Sequence, residues 1–251
     1  MFVSFTYYGV ACGVLSINDE FRIGIDPDLA PKGSEVKFKG FSSVKTSSPY
    51  DDKSLLDEVD LWLLTHGHQD HLDKIGKRFL AGKNVVCQSN TLLKELPQSD
   101  ATILKWGKEK SYFVNDYQIT IKAIPAYHAS NLFMQKMVGK VNGYLISIAN
   151  SSERTVIYFT GDTIYSPKLI KELPDGIDVV FVNLGAVKTG SLGGPFTMNL
   201  QMLEQLKHTL KPKEIFPIHI DDYSHYMTTK QEVERQGYKV ILIGEKIDIS
   251  K

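Results

Sequence analysis

One stretch of seven residues, Thr65-His66-Gly67-His68-Gln69-Asp70-His71, carries three histidines and an aspartate directly behind an apolar run. The apolar run is typical of a buried strand. Residues i and i+2 of an extended chain share a face, so His66 and His68 can point to one position. Apolar residues then recur at helical spacing, which predicts that Asp70 and His71 open a helix and turn toward a second position nearby. Imidazole and carboxylate groups bind zinc, iron and manganese, so the stretch predicts a metal site rather than a polar surface loop.

Three more side chains that could bind a metal come directly after predicted strands. His128, Asp162 and His219 each lie on the loop that leaves an apolar strand, as His66 does. Binding groups are usually placed on loops at one edge of a rigid sheet. We therefore expect these three side chains to converge on the seven-residue stretch.

Other residues are candidates for contact with a substrate. His225 follows His219 by six positions and could contact a substrate or donate a proton to a leaving group; the alternative is a loop histidine in solvent. Lys188 lies in a glycine-rich segment and could meet an anionic substrate, although the segment lacks the spacing of a P-loop. His208 is interpreted as a helix residue. An apolar group soon after His128 could line a substrate pocket or belong to the core: Leu132, Phe133, Met134, Met137 and Val138.

Short β-branched and aromatic runs predict the strands that must position these groups. A meander is expected over residues 2–8, 14–17 and 21–25, with later strands at 59–65, 85–87, 118–124, 143–148, 155–159, 179–182, 215–218 and 240–243. Apolar spacing and terminating Pro or Gly residues predict helices at 90–96, 167–173, 198–210 and 229–236. This order favours an α/β (α+β) fold of two sheets packed face to face with helices outside, in one domain over residues 1–251.

The segment over residues 31–57 is mostly polar, with lysines scattered among serines. It is too long for a simple turn. We interpret it as a solvated surface excursion, and the functional alternative is a lid over the site or a dimer arm.

The composition is that of an ordinary globular chain, with 251 residues, 42% hydrophobic residues and a formal net charge of zero. This charge balance argues against a general polyanion-binding surface, and hence against nucleic acid as a partner. The two cysteines, Cys12 and Cys87, lie in apolar stretches and are interpreted as core residues of a protein in a reducing compartment. With no signal-like segment and no apolar run of about 18 residues, we expect a cytoplasmic protein without a membrane span.

The candidate ligands, in their order along the chain, resemble those of the metallo-β-lactamase-fold hydrolases. The resemblance covers nearly the whole chain and implies a four-layer αββα sandwich with a dinuclear metal site at one edge. Two divalent ions are implied, with zinc expected and manganese or iron as alternatives. By position, one ion would be held by His66, His68 and His128, the second by Asp70, His71 and His219, and Asp162 would bridge them.

Within that family the chain resembles the branch that contains the ascorbate-6-phosphate lactonase and the N-acyl-phosphatidylethanolamine phospholipase D. The matching pieces are Leu72-Asp73, Gly143-Tyr144-Leu145-Ile146, Gly194-Pro195-Phe196-Thr197-Met198 and Pro217-Ile218-His219. The chain departs from the branch at Gly9-Val10-Ala11, where a histidine usually follows the glycine, and in the lysine-rich segment 31–57. Both departures fall near the expected cleft and bear on the substrate rather than on the metals.

Two ions that share a water lower its pKa from about 15.7 toward 7 and so supply hydroxide at neutral pH. Asp70 is the candidate for orienting this hydroxide and moving its proton. The expected function is a binuclear metal-dependent hydrolase that acts on a phosphodiester, a phosphorylated small molecule or a lactone, with a small anionic substrate as partner. The alternatives are a nuclease of the same fold and a metal-containing binding or regulatory module without turnover. A homo-oligomer is left open.

Overall fold

The computed structural model describes residues 1–38, 41–96, 98–129, 139–188 and 194–249. The apolar group at 132–138 therefore lies outside the described residues. The strands are β1 Val3–Gly9, β2 Cys12–Ile17, β3 Phe21–Ile25, β4 Glu35–Phe38, β5 Phe41–Val44, β6 Leu61–Leu63, β7 Asn84–Cys87, β8 Asp100–Ile103, β9 Glu109–Val114, β10 Tyr117–Ala126, β11 Val141–Ala149, β12 Arg154–Phe159, β13 Val179–Asn183, β14 Glu214–Ile218 and β15 Lys246–Asp248. The helices are α1 Ser54–Asp57, α2 Lys74–Phe79, α3 Asn90–Lys94, α4 Pro167–Ile170, α5 Leu200–Leu210 and α6 Lys230–Arg235.

Two large sheets and one hairpin are formed by these strands. The first sheet has the order β15-β1-β2-β3-β6-β7-β8, and the second has the order β14-β13-β12-β11-β10-β9. Each sheet combines an antiparallel meander with parallel strands: β3, β6, β7 and β8 run parallel in the first, and β12, β13 and β14 in the second. The candidate ligands lie on the loops that follow β6 in the first sheet and β10, β12 and β14 in the second, and these three strands of the second sheet run in the same direction.

The sheets pack face to face through a shared apolar core. Phe5 on β1 contacts Phe181 on β13, with ring centroids 4.3 Å apart. On the outer face of the first sheet, Trp62 of β6 packs edge-on against Phe79 of α2. On the outer face of the second sheet, the apolar cluster includes Leu203 of α5. The helices thus cover the outer faces, and the predicted four-layer αββα sandwich is confirmed.

The predicted closing strand at 240–243 is wrong. That segment holds a tight turn in which the backbone N–H of Glu245 donates to the carbonyl oxygen of Leu242. The Glu245 carboxylate also accepts from the backbone N–H of Leu242, and Gly244 adopts the left-handed φ of +85°. The closing strand is β15, which pairs antiparallel with β1. Strands β8 and β9 are absent from the predicted set, because their partly exposed, polar sequences lack a strong apolar signal.

The segment 31–57 contains the hairpin of β4 and β5, which belongs to neither large sheet. Most of the described residues of this segment are exposed, but Val36, Ser43 and Lys45 are buried, so the segment has an inner side that packs against the protein. It lies against the loop after β14, since the backbone N–H of Ser224 donates to the carbonyl oxygen of Val44. A role as a lid or dimer arm stays a prediction.

Among the helices that the structure describes, none has both the length and the apolar character needed to cross a membrane. The predicted core positions of Cys12 and Cys87 are confirmed, since both are free and buried.

Candidate metal centre

Local backbone geometry brings the strand-end loops together. The loop after β6 carries residues 64–71, and the backbone N–H of Asn142 at the start of β11 donates to the carbonyl oxygen of Thr65, which ties the two sheets at this edge. Gly161 adopts a left-handed φ of +57°, and a Cβ there would lie 2.6 Å from the carbonyl oxygen of Asn142. Only glycine suits that turn, which places Asp162 beside the loop after β6.

The first candidate group is formed by three imidazoles. His66 Nε2 lies 3.0 Å from His68 Nδ1, and His128 Nε2 lies 3.4 Å from the same nitrogen. The second ring nitrogen of His66 and of His128 forms a hydrogen bond elsewhere. His66 Nδ1 contacts the Thr65 hydroxyl, and His128 Nδ1 donates to the carbonyl oxygen of Phe196 at 2.7 Å. Because the Thr65 hydroxyl donates its own proton to a carboxylate, it accepts from His66 Nδ1. Unprotonated nitrogens of His66 and His128 therefore face His68.

Burial keeps these imidazoles neutral. Burial, together with the neighbouring histidines, lowers the pKa of His66 well below the usual value and that of His68 to about 4. The pKa of His128 is also lowered, mainly by burial. Neutral imidazole is the form that binds a metal, so the environment favours ligation over protonation.

The second candidate group is formed by Asp70, His71 and His219. His219 Nε2 lies 3.6 Å from Asp70 Oδ2. Burial alone would raise the pKa of Asp70, but the neighbouring imidazoles of His219, His225 and His71 hold it well below the usual value. Burial likewise opposes a charge on His71, yet the carboxylates of Asp162 and Asp26 raise the pKa of His71 well above the usual value. Carboxylates that stabilise a proton there would also stabilise a metal cation at the same nitrogen.

Asp162 lies between the two groups. Its Oδ2 is 3.6 Å from His128 Nε2 and 3.9 Å from His66 Nε2. Its Oδ1 is 3.2 Å from His71 Nε2 and 3.6 Å from His219 Nε2. Although burial raises the pKa of this carboxyl, the surrounding histidines hold it well below the usual value. One carboxylate thus offers one oxygen to each group.

The donor set fits divalent metal ions. Five imidazoles and two carboxylates converge in a buried site, and this is a ligand chemistry that zinc, manganese and iron accept. Asp70 Oδ1 and His71 Nε2 are buried and form no hydrogen bond with a described atom, because the 3.2 Å contact between His71 Nε2 and Asp162 Oδ1 lacks the geometry of one. Buried polar atoms of this kind are costly unless something binds them, and a cation would satisfy both.

The weaker candidates differ in their position. His225 lies beside the centre, with Nε2 3.7 Å from Asp70 Oδ2, and its imidazole is largely buried rather than in solvent. Lys188 is exposed, and residues 189–193 of its loop lie outside the described residues. His208 lies exposed on α5, as expected for a helix residue.

Three buried residues that contact the candidate ligands are absent from the predicted set. Asp26 accepts from the Thr65 backbone N–H and hydroxyl, and its Oδ2 lies 2.8 Å from His71 Nδ1. Asn183 donates its side-chain amide to Asp162 Oδ1 at 2.8 Å. The Tyr226 hydroxyl lies 2.7 Å from His219 Nε2 and 3.0 Å from Asp70 Oδ2. Asp26 and Asn183 end strands, so the rule that found the ligands could have found them, whereas Tyr226 carries no such signal.

The fold is shared with solved structures. An isothiocyanate hydrolase from Delia radicum gut bacteria matches with a TM-score of 0.81 and 22% identity, over 97% of this chain and 98% of that one.

Sequence comparisons define the family. A model of the β-lactamase superfamily domain matches residues 38–220. A UPF0173 metal-dependent hydrolase from Anoxybacillus flavithermus is 30% identical over 81% of this chain and 88% of its own length. One from Pyrococcus furiosus is 27% identical over 98% of this chain and 95% of its own length. The chain therefore belongs to the β-lactamase superfamily and, within it, to the UPF0173 family of metal-dependent hydrolases.

Proposed function

We propose that this hydrolase uses two divalent ions, zinc with manganese or iron as alternatives, held by the two candidate groups. His66, His68 and His128 would hold one ion, and Asp70, His71 and His219 the other. The observation that carries the proposal is the position of Asp162, whose two oxygens face the two groups separately. A carboxylate so placed is suited to bridge two cations and to offset part of their charge.

The other roles in the proposed reaction belong to side chains of the protein. When bound, the ions supply Lewis acidity and lower the pKa of a shared water. Hydrogen bonds at Nδ1 fix the orientations of the His66, His71 and His128 rings. Asp70, anchored at Oδ2 by the Tyr226 hydroxyl, orients the attacking water and accepts its proton. His225 Nε2 faces Oδ2 of Asp70, the oxygen that the Tyr226 hydroxyl also contacts. From this position His225 would contact the substrate.

We propose a phosphodiester, a phosphorylated small molecule or a lactone as substrate, in line with the resemblance to the ascorbate-6-phosphate lactonase and phospholipase D branch. The zero net charge disfavours the alternative of a nuclease, because nucleic-acid binding depends on phosphate neutralisation by basic side chains. A cytoplasmic location fits the free, buried cysteines.

The first test is the metal content of protein purified without added metal or chelator. About two zinc or manganese ions per chain would support the proposal. Two irons would support the two-ion centre but would make a redox reaction the alternative to hydrolysis. A protein that holds no metal and refuses it on titration would overturn the proposal and leave a binding module.

The second test is turnover of bis(p-nitrophenyl) phosphate and of a lactone panel, with an isothiocyanate added because of the structural relative. Asp70→Asn should lower kcat by about 100-fold or more on the accepted substrate, since it removes the proton acceptor. Asp175→Asn, at an exposed aspartate, is the matched control and should not change kcat. Unchanged turnover in Asp70→Asn would remove Asp70 from the mechanism.

A further inference from the structure

The hairpin of β4 and β5 contacts the His225 imidazole on the side away from Asp70. Its Nδ1 lies 2.7 Å from the hydroxyl of Ser43, a residue 182 positions earlier that is 1% exposed. The rings of Phe38 and Phe41 pack on the imidazole, with centroids at 5.0 and 5.5 Å. With one nitrogen bonded and the ring enclosed, the other nitrogen, Nε2, is directed at Asp70.

The hairpin is itself fixed at its base. Lys45, just after β5, forms a fully buried ion pair with Asp28 at 3.0 Å, and the Tyr223 hydroxyl donates to the same carboxylate. The Ser47 hydroxyl donates to Asp222 at 2.7 Å. These contacts tie the hairpin to the loop that carries His225, so the hairpin and the imidazole form one packed unit.

A chain of hydrogen bonds sets the direction of the contact between Ser43 and His225. The backbone N–H of Val44 donates to the Ser224 hydroxyl at 3.0 Å, and the Ser224 and Ser43 hydroxyls lie 3.1 Å apart. When Ser224 donates to Ser43, and Ser43 donates to His225 Nδ1, each hydroxyl in the chain donates once and accepts once. The reverse direction makes the Ser224 hydroxyl accept twice and leaves its proton without an acceptor in this chain.

The other side of the imidazole agrees with this direction. His225 Nε2 lies 3.7 Å from Asp70 Oδ2. A proton on Nε2 faces that carboxylate favourably, whereas a lone pair there would face it unfavourably. Both contacts of the imidazole thus select the same tautomer.

We propose that Ser43 is a positioning residue that holds His225 as the Nε2–H tautomer, so that the hairpin gives the centre an N–H donor for an anionic oxygen of the substrate. The role toward substrate rests on the proposed hydrolase function, but the tautomer does not. A donor fixed in this way needs no reorientation when negative charge develops on the substrate.

The tautomer is measured by nitrogen NMR on zinc-loaded protein labelled at histidine, with the His225 signals assigned by their loss in His225→Gln. We expect an unprotonated Nδ1 and a protonated Nε2 in the wild type. Ser43→Ala should introduce the Nδ1–H tautomer and lower kcat up to about 10-fold, as expected for one lost hydrogen bond, with zinc content unchanged. Ser42→Ala is the matched control, because Ser42 is the exposed neighbour on the same strand.

Several results would overturn the inference: a proton on Nδ1 in the wild type, alone or together with Nε2, or a Ser43→Ala protein identical to Ser42→Ala in tautomer. Should Ser43→Ala fail to fold, Ser224→Ala, at an exposed position, removes the hydrogen bond that orients the Ser43 hydroxyl and should shift part of the His225 population toward the Nδ1–H tautomer. The expected tautomer without turnover of any substrate would refute the proposed function and leave the positioning role intact.

Discussion

Asp26 illustrates how a single residue outside the candidate ligand groups can control them. It is fully buried, its φ is +38°, and both of its oxygens are committed to Thr65 and His71. It fixes the orientation of the His71 ring and increases the basicity of Nε2, the nitrogen that faces Asp162.

We therefore expect Asp26→Asn to weaken metal binding by roughly 10- to 100-fold, since the amide accepts only at its single oxygen, whereas both carboxylate oxygens of Asp26 accept hydrogen bonds. Competition with a chromophoric chelator measures the affinity. Asp175→Asn serves again as the matched substitution at an exposed position. Equal affinities of the two variants would show that Asp26 has a structural role only.

The contrast between predicted and unpredicted residues has a physical basis. The seven-residue stretch is local, and His128, Asp162 and His219 follow a rule about strand ends, so types and spacing suffice to predict their convergence. The prediction that Asp70 and His71 open a helix is wrong, because both lie in a turn before α2, which begins at Lys74 with Asp73 as its N-cap. Tyr226 reaches Asp70 across 156 positions, through the packing of the loop after β14. Such a contact depends on tertiary geometry that no local pattern encodes.

At the scale of elements, the apolar strands and the leucine-rich α5 were predictable because their periodicity matches their burial. The β4–β5 hairpin was not, because its sequence is polar and its buried positions include a serine and, just beyond it, a lysine. Lys45 can be buried only because Asp28 lies opposite, and Asp28 belongs to another part of the chain. The hairpin thus depends on a pair that composition alone would assign to solvent.

Removal of Lys45 tests the contribution of the buried ion pair between Lys45 and Asp28. Burial raises the pKa of Asp28 to about 6, even though Lys45 lowers it. Lys45→Met leaves the carboxylate unpaired, and we expect the free energy of unfolding to fall by about 3–5 kcal/mol at pH 8. In the variant the pKa of Asp28 in the native state rises further. In the pH window between the pKa of the unfolded state and this raised pKa, the native state binds a proton that the unfolded state does not. Its stability therefore decreases as pH rises through this window.

The loss relative to wild type should accordingly be smaller at pH 5 than at pH 8, by about 1 kcal/mol or more. Denaturant unfolding at the two pH values measures the difference. Lys37→Met, at an exposed lysine of β4, is the matched control and should cost less than about 0.5 kcal/mol. A loss that is independent of pH would mean that Asp28 does not carry the unpaired charge.

At the scale of the whole molecule, the candidate ligands come from both sheets. His66, His68, Asp70 and His71 follow β6 of the first sheet, whereas His128, Asp162 and His219 follow β10, β12 and β14 of the second. An ion bound by both sets would connect the two halves of the sandwich at one edge. Because the unfolded chain does not hold these ligands together, metal binding should stabilise the folded state by mass action.

Removal of metal by a chelator should therefore lower the midpoint of thermal unfolding. Free metal at 100 times its dissociation constant corresponds to about 2.7 kcal/mol for one site, and two sites that both bridge the sheets would add to this. Asp162→Asn should reduce the effect of the chelator, because Asp162 faces both candidate groups. His208→Gln, at an exposed histidine on α5, should retain the full effect. Equal midpoints with and without metal in the wild type would mean that bound ions do not link the two sheets, and would place any metal outside this centre.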